Sequence, residues 1–320
     1  MKIFLITFQA VFTLLGIGVL GFWIIGHRRA PSNVLGFLSS LATDIALPFL
    51  VLSNLIQNFS PAQFPEWWKL PIWWLGFTVI TLFLAWLMSY TFKKSNRSES
   101  IMGLLYQNGL FFPLIIITGL MGPSTPYLAS LFVFTALQPS MVFSTYTYFY
   151  RNTSPPIHFN WRRILNPVLV TTIAGLIVGL AAVKTFIPDF VFNILALVGA
   201  MATPLFMLIL GGNIYNDLLL SRAQKRFEIW EVVKFAAIKN LFFPLFFLGL
   251  LVWLHPDPMI AFIIILQAAV PPITAIPIFA DRCGGNRAIA SQFIVGSFIF
   301  SVLSIPAMIY LFNLFFPVSI

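Results

Sequence analysis

Two stretches of the chain place carboxamides and prolines where an apolar helix would otherwise run unbroken. The first carries Gln107, Asn108, Gly109 and Pro113; the second carries Gln267, Pro271, Pro272, Thr274 and Pro277. A proline has no N–H and clashes with the carbonyl four residues back, which for Pro113 is that of Gly109, so the helix must open or kink. In hydrocarbon the freed backbone groups need partners, which confines a break to the protein interior or the wall of an aqueous cavity. Taken alone, the first stretch also fits a plain proline kink with Asn108 bonded to a neighbouring helix. Two broken segments at matching places point instead to a binding site. If they cross, each half-helix offers the positive end of its dipole to an anion. The candidate substrate-binding residues are therefore Gln107, Asn108, Gly109 and Pro113 with Gln267, Pro271, Pro272 and Thr274.

Two ionisable residues stand apart from the rest. Asp44 is the one acid well inside an apolar segment, about ten residues from its start and so about 15 Å deep at helical rise. An ionised carboxylate at that depth is costly unless it is paired, protonated or beside water. Proton or Na⁺ coupling and a structural bond to backbone opened around Pro48 are both open to it. Lys239, about ten residues into another segment, is its basic counterpart, able to sense a substrate carboxylate, pair with Asp44 or snorkel to the headgroups. Lys234, nearer that segment's start, is expected to snorkel.

The elements that must position these residues follow from composition. Of 320 residues 59% are hydrophobic and 8% charged, with mean hydropathy +0.95. An ordinary soluble domain carries about 25% charged residues, so this is a polytopic helical membrane protein without room for a soluble domain. Ten apolar segments run approximately 3–26, 34–57, 68–91, 100–121, 125–150, 164–186, 190–214, 229–253, 258–280 and 288–316. Lys2 precedes the first, and no small-residue cleavage region follows it, so it reads as a retained span. Gly211-Gly212-Asn213 is expected to end segment seven. Thirteen Lys and Arg fall in the odd-numbered loops; the even loops and the N-terminal tail hold only Lys2, Lys69 and Lys184. That bias predicts cytoplasmic odd loops and both termini outside. Ten spans divide into residues 1–150 and 164–320, joined by a short cytoplasmic linker at 151–163, and five being odd, the second set must be inverted. Weak similarities between Asp44-Ile-Ala-Leu-Pro48 and Ala200-Met-Ala-Thr-Pro204, and between Gln107–Pro113 and Gln267–Pro272, agree with an inverted repeat.

Several classes drop out. The formal charge of +9 is scattered between apolar segments, whereas nucleic-acid binding needs a basic face or stripe. One cysteine, Cys283, excludes an internal disulfide and a cysteine metal cage. His27, His158 and His255 all lie in connecting segments, so no metal or other cofactor is expected. A membrane-embedded enzyme needs a nucleophile and base at depth; no histidine lies there and Asp44 has no second acid. A sensor would need an output module that the length excludes.

At the stretch Ala269-Val-Pro-Pro-Ile-Thr-Ala-Ile-Pro-Ile-Phe-Ala-Asp-Arg-Cys-Gly-Gly-Asn286, with Ala290-Ser-Gln-Phe-Ile-Val-Gly-Ser297, Leu303-Ser-Ile-Pro306, Leu47-Pro-Phe-Leu-Val-Leu-Ser53, Asn108–Pro113 and Asn166-Pro167, the chain resembles the auxin efflux carrier family, bacterial branch. Plant auxin exporters belong to the same family. The resemblance implies an all-α fold of ten transmembrane helices in an inverted five-plus-five repeat, similar to bile-acid symporters and sodium–proton antiporters. It implies that broken helices four and nine cross at an anion site, with Asn108 and Pro113 in the first crossover and Pro271 and Pro272 in the second. A scaffold of spans 1, 2, 6 and 7 and a transport body of spans 3–5 and 8–10 would slide past each other as an elevator. Substrates would be small organic anions, either dicarboxylates or auxin-like acids, with H⁺ or Na⁺ as the coupling ion. The partners implied are that anion, the plasma-membrane bilayer and a second copy in a homodimer. The nearest rival is an Na⁺- or H⁺-coupled organic-anion importer of the bile-acid-symporter kind.

Overall fold

Apolar runs punctuated by proline fold as helices that stop or widen near each proline. The structure, a computed structural model, describes residues 2–27, 33–59, 61–62, 65–122, 125–150, 167–181, 186–223 and 227–317. In chain order the helices are α1 (Lys2–Gly26), α2 (Val34–Leu41), α3 (Leu47–Asn58), α4 (Leu70–Ser89), α5 (Arg97–Leu105), α6 (Phe111–Met121), α7 (Pro126–Thr135) and α8 (Gln138–Thr145). They continue with α9 (Pro167–Leu180), α10 (Asp189–Ala200), α11 (Ala202–Ala223), α12 (Ile229–Ala237), α13 (Phe243–Leu254), α14 (Pro258–Ala269), α15 (Ile276–Arg282) and α16 (Arg287–Phe315). Among the described residues there is no strand beyond one isolated bridge. The linker 151–163, Arg28, Arg29, Asn166 and Lys184 lie outside the described residues.

Among the described residues seven helices, alone or joined through a turn, are long and apolar enough to cross a membrane: Lys2–Gly26, Val34–Asn58, Trp67–Ser89, Pro126–Phe149, Asp189–Asn216, Ile229–Leu254 and Arg287–Phe315. The other three apolar helices, α6, α9 and α14, are shorter. All ten expected segments thus carry helix, but three fall below spanning length as continuous helices. Segments four and nine are short because each is divided.

Proline also shapes two unbroken segments. π turns at Ala42–Ala46 and Ile238–Phe242 lead directly into α3 and α13. Each is followed by a proline, Pro48 or Pro244, that cannot donate to the carbonyl four residues back, that of Asp44 or Asn240. The residue before each proline bonds five residues back instead, Leu47 to Ala42 and Phe243 to Ile238. That widening is a π bulge. The same device therefore sits under both Asp44 and the pair Lys239-Asn240.

Helix packing falls into two groups. α1 lies along α11, and α3 along α9 and α10; separately α4 packs on α5, α13 on α14, and α12 and α15 on α16. The groups meet where α1 touches α6 and α16, α11 touches α16 and α3 touches α7. Small residues permit the closest approach. A Cβ at Gly211 of α11 would come 1.7 Å from the Gly18 carbonyl oxygen, and one at Gly21 of α1 would come 2.2 Å from that of Leu208. Gly211-Gly212-Asn213 is thus interior to α11 and packs against α1; it does not end the helix, because backbone contact there replaces side-chain contact.

Polar bonds fasten the second group at the end bearing the turn after α4. Lys93 Nζ pairs with Glu228 at 2.9 Å, and Asn96 donates to the same carboxylate at 3.1 Å. Lys234 Nζ pairs with Glu231 at 2.7 Å and donates to the Thr91 carbonyl at 2.6 Å. Lys234 is therefore a tie between α12 and the end of α4, and does not reach out to headgroups: a carboxylate one helical turn before it offers a closer partner. The Glu228 N–H donates to Gln292 of α16 at 3.0 Å.

Gly211→Val should lower the melting temperature in detergent, since overpacking typically costs about 1–3 kcal/mol. Gly76→Ala, where a Cβ meets nothing within 4 Å, should leave it unchanged; equal melting of all three proteins would refute the close α1–α11 contact.

Candidate functional site

The breaks in segments four and nine lie against each other. Helix α5 stops at Leu105 and α6 starts at Phe111; α14 stops at Ala269 and α15 starts at Ile276. Between them two unwound strands pair through a single antiparallel bridge, Gln107 with Pro272. Asn108 N–H donates to the Pro271 carbonyl at 2.8 Å, and Ile273 N–H donates to that of Tyr106 at 2.9 Å. Each break thus satisfies part of the other. Pro113 sits in the first turn of α6 and Pro277 in that of α15, where the missing N–H leaves no intrahelical bond unmade.

Two glutamines bond backbone carbonyls in the first break, and a third braces one of them. Gln267 Nε2 donates to the Gly109 carbonyl at 2.6 Å, a group in the break just before α6. Gln138 Nε2 donates to the Gln107 carbonyl at 2.7 Å, and Gln107 Nε2 to Gln267 Oε1 at 3.4 Å. All three side chains are buried. Gly109 leaves the space for this: a Cβ there would lie 1.9 Å from Gln267 Oε1 and 2.8 Å from Gln138 Oε1. An unmade bond at a buried carbonyl costs about 1–3 kcal/mol, so Gln138 and Gln267 hold the broken backbone and Gln107 braces Gln267.

Asn108 differs from these. Its side chain is buried, makes no hydrogen bond among the described residues, and lines a cavity of about 170 Å³. Gln138, Thr135 and Gly109 share that cavity; Phe111, Phe143 and Phe279 wall it, with Leu47 and Val168 closing the side toward α3 and α9. No charged side chain lines it among the described residues. The first turn of α6 begins at its edge, and the N–H groups of a first helical turn have no intrahelical acceptors. A free carboxamide beside a helix start, enclosed by apolar walls, can bind a small anion through neutral donors.

A family profile described as "Membrane transport protein" matches residues 6–309 of the chain. The chain belongs to the auxin efflux carrier family. No curated protein matches it. Membership in this carrier family covers both broken segments, so the crossover lies within the shared fold and not in an appended piece.

Of the residues expected at the site, the carrier brings Gln107, Asn108, Gly109, Pro271, Pro272 and Gln267 together at the bridge, and Pro113 one turn beyond. Thr274 faces a different, much smaller recess with Asn213, Pro277 and Ser291. Asp44 is exposed on its π turn and accepts a hydrogen bond from Thr43 at 3.0 Å. Lys239 is fully buried, and no ion pair joins it to Asp44. Sequence reading missed Gln138. Its signal was present in Gln138-Pro139, a carboxamide and a proline inside segment five, the same pairing that drew attention to Asn108 and Pro113.

Gln267→Ala should lower thermal stability by about 1–3 kcal/mol by orphaning the Gly109 carbonyl. Asn108→Ala removes no bond of the unliganded protein and should melt within about 0.5 kcal/mol of the parent. Calorimetry of both in one detergent checks this contrast; equal losses would place Asn108 in the backbone network.

Proposed function

We propose that this carrier moves small organic anions, chiefly monocarboxylates, with the carboxylate at Asn108 and the start of α6. The observation that carries this is the unengaged Asn108 carboxamide in a charge-free cavity whose other central amides are committed to backbone. A second carboxylate would enter with no counter-charge, at a cost of several kcal/mol. The aromatic walls suit an acid with an apolar body better than a dicarboxylate. Family membership supports transport over catalysis.

The wider reading is an elevator. Spans 1, 2, 6 and 7 form the scaffold and spans 3–5 and 8–10 the moving body, which agrees with the two packing groups and with the polar ties among Lys93, Glu228, Glu231, Lys234 and Gln292. The basic loops lie in the cytoplasm and both termini outside, in a plasma membrane. A second cavity of about 570 Å³, lined by Gln9, Thr13, Asn54 and Thr118, lies along the far half of α6. It serves as the outer vestibule, separated from the Asn108 cavity by the first turns of α6, where the Phe111 ring packs tilted against Phe206 of α11 at 4.0 Å between ring centroids. Export or exchange is the favoured direction; coupled import with Na⁺ or H⁺ is the alternative and would use the same site, the gradients setting the direction of net flow.

The test is counterflow of radiolabelled hydroxyphenylacetate, indoleacetate and malonate in proteoliposomes. Asn108→Ala should weaken monocarboxylate binding by about 1.5–3 kcal/mol, about ten- to a hundredfold in affinity. Full counterflow in that variant would sink the crossover site, and faster malonate flux than monocarboxylate flux would reverse the substrate preference.

A further inference from the structure

Lys239 has no role in the site described so far, yet it is enclosed deep within the second packing group. It sits on the π turn Ile238–Phe242 with 1% of its surface exposed. No hydrogen bond or ion pair reaches it among the described residues; its Nζ faces only the Phe243 ring, 5.7 Å from the centroid. The neighbouring polar groups are closed upon each other. Ser297 Oγ donates to Asn240 Oδ1 at 2.7 Å, and Asn240 Nδ2 donates to the Ser297 carbonyl at 3.3 Å.

The elements packed around this turn supply no counter-charge. They are α12, α13, α14 and α16. Helices α13 and α14 hold no ionisable side chain. Glu231 and Lys234 of α12 pair with each other. On α16, Arg287 lies at the first residue, paired with Asp281, and Tyr310 lies near the far end and is exposed. An ammonium enclosed in apolar surroundings without a partner costs several kcal/mol, while a neutral amine costs far less. A lysine kept in such a place, within the body that would move, is a ready proton acceptor.

We propose that Lys239 is the proton-binding group that couples anion movement to the proton gradient. This rests on the carrier reading above and commits its coupling ion. The amine takes one H⁺ from water at the face where the anion enters, forming the ammonium. Anion and ammonium cross in one body with their charges cancelled, and the proton leaves at the other face with the anion. One monocarboxylate then moves with one proton, and the empty body returns neutral. Asp44 is exposed and lies in the other packing group, so it does not travel with the substrate.

Two readouts on the full-length protein test this. In proteoliposomes a gradient of one pH unit should drive about tenfold early accumulation of radiolabelled hydroxyphenylacetate over empty vesicles, the limit for one proton per anion. Lys239→Met should lose that accumulation yet keep counterflow at equal pH, and Asp44→Asn should keep both. Independently of any substrate, the melting temperature of the parent relative to Lys239→Met should change between about pH 6 and about pH 9, the signature of an amine whose proton occupancy differs between the folded and unfolded chain. A flat difference, or undiminished gradient-driven accumulation in Lys239→Met, overturns the proposal. Failure of every acid to show saturable counterflow with the parent protein counts against the carrier reading instead, and the melting comparison still decides whether Lys239 titrates.

Discussion

Everything near the centre of this molecule depends on how two broken helices satisfy their backbone away from water. A helix interrupted in hydrocarbon exposes N–H and C=O groups that no solvent can bond. Here the breaks answer one another through Asn108 N–H to Pro271 and Ile273 N–H to Tyr106. Gln138 and Gln267 complete the arrangement from α8 and from the end of α14. The two unwound strands are held from four sides, which fixes the start of α6 relative to the Asn108 side chain. Only a break stabilised in this way can present a free carboxamide and a helix start to a cavity without collapsing onto them.

The positions of the breaks were legible in the sequence, because proline and carboxamides inside apolar runs have few other meanings. Their division of labour was not. Gln107 and Gln267 read as substrate contacts, whereas in the structure Gln267 bonds the Gly109 carbonyl and Gln107 bonds Gln267. Spacing along a helix gives depth; it gives azimuth only when one face is polar. In a membrane helix the face toward lipid and the face toward protein are both apolar, so the pattern cannot tell them apart. Asp44 and Lys239 show the consequence: similar depth in the sequence, opposite exposure in the structure. Gly211-Gly212 misled for a related reason. Glycine marks helix ends in soluble proteins, whereas here it admits a neighbouring backbone.

The π turns explain why polar side chains occur at these depths. Pro48 and Pro244 each leave a carbonyl without its donor and widen the helix by one residue. Widening changes which way the following side chains point, so one residue of the turn leaves the register of its neighbours. Asp44 and Lys239 both occupy such turns. A polar residue at mid-helix and a proline four or five positions later are thus one feature, and the proline is the part that sequence shows most plainly.

On the proposed reading, the neutrality of the Asn108 cavity and the burial of Lys239 answer the same requirement. A carrier must bring its site back empty, and a fixed charge in the moving body would have to be desolvated on each return. An arginine at the crossover would bind an anion more tightly but would stay charged when the anion left. Neutral donors bind an anion less strongly and impose no such cost on the empty state. Their weakness is that they leave the loaded state negatively charged. A lysine that gains its proton only when an anion is present removes that charge for the loaded crossing alone. Amide and amine therefore divide between them what a permanently charged residue would do badly at either step.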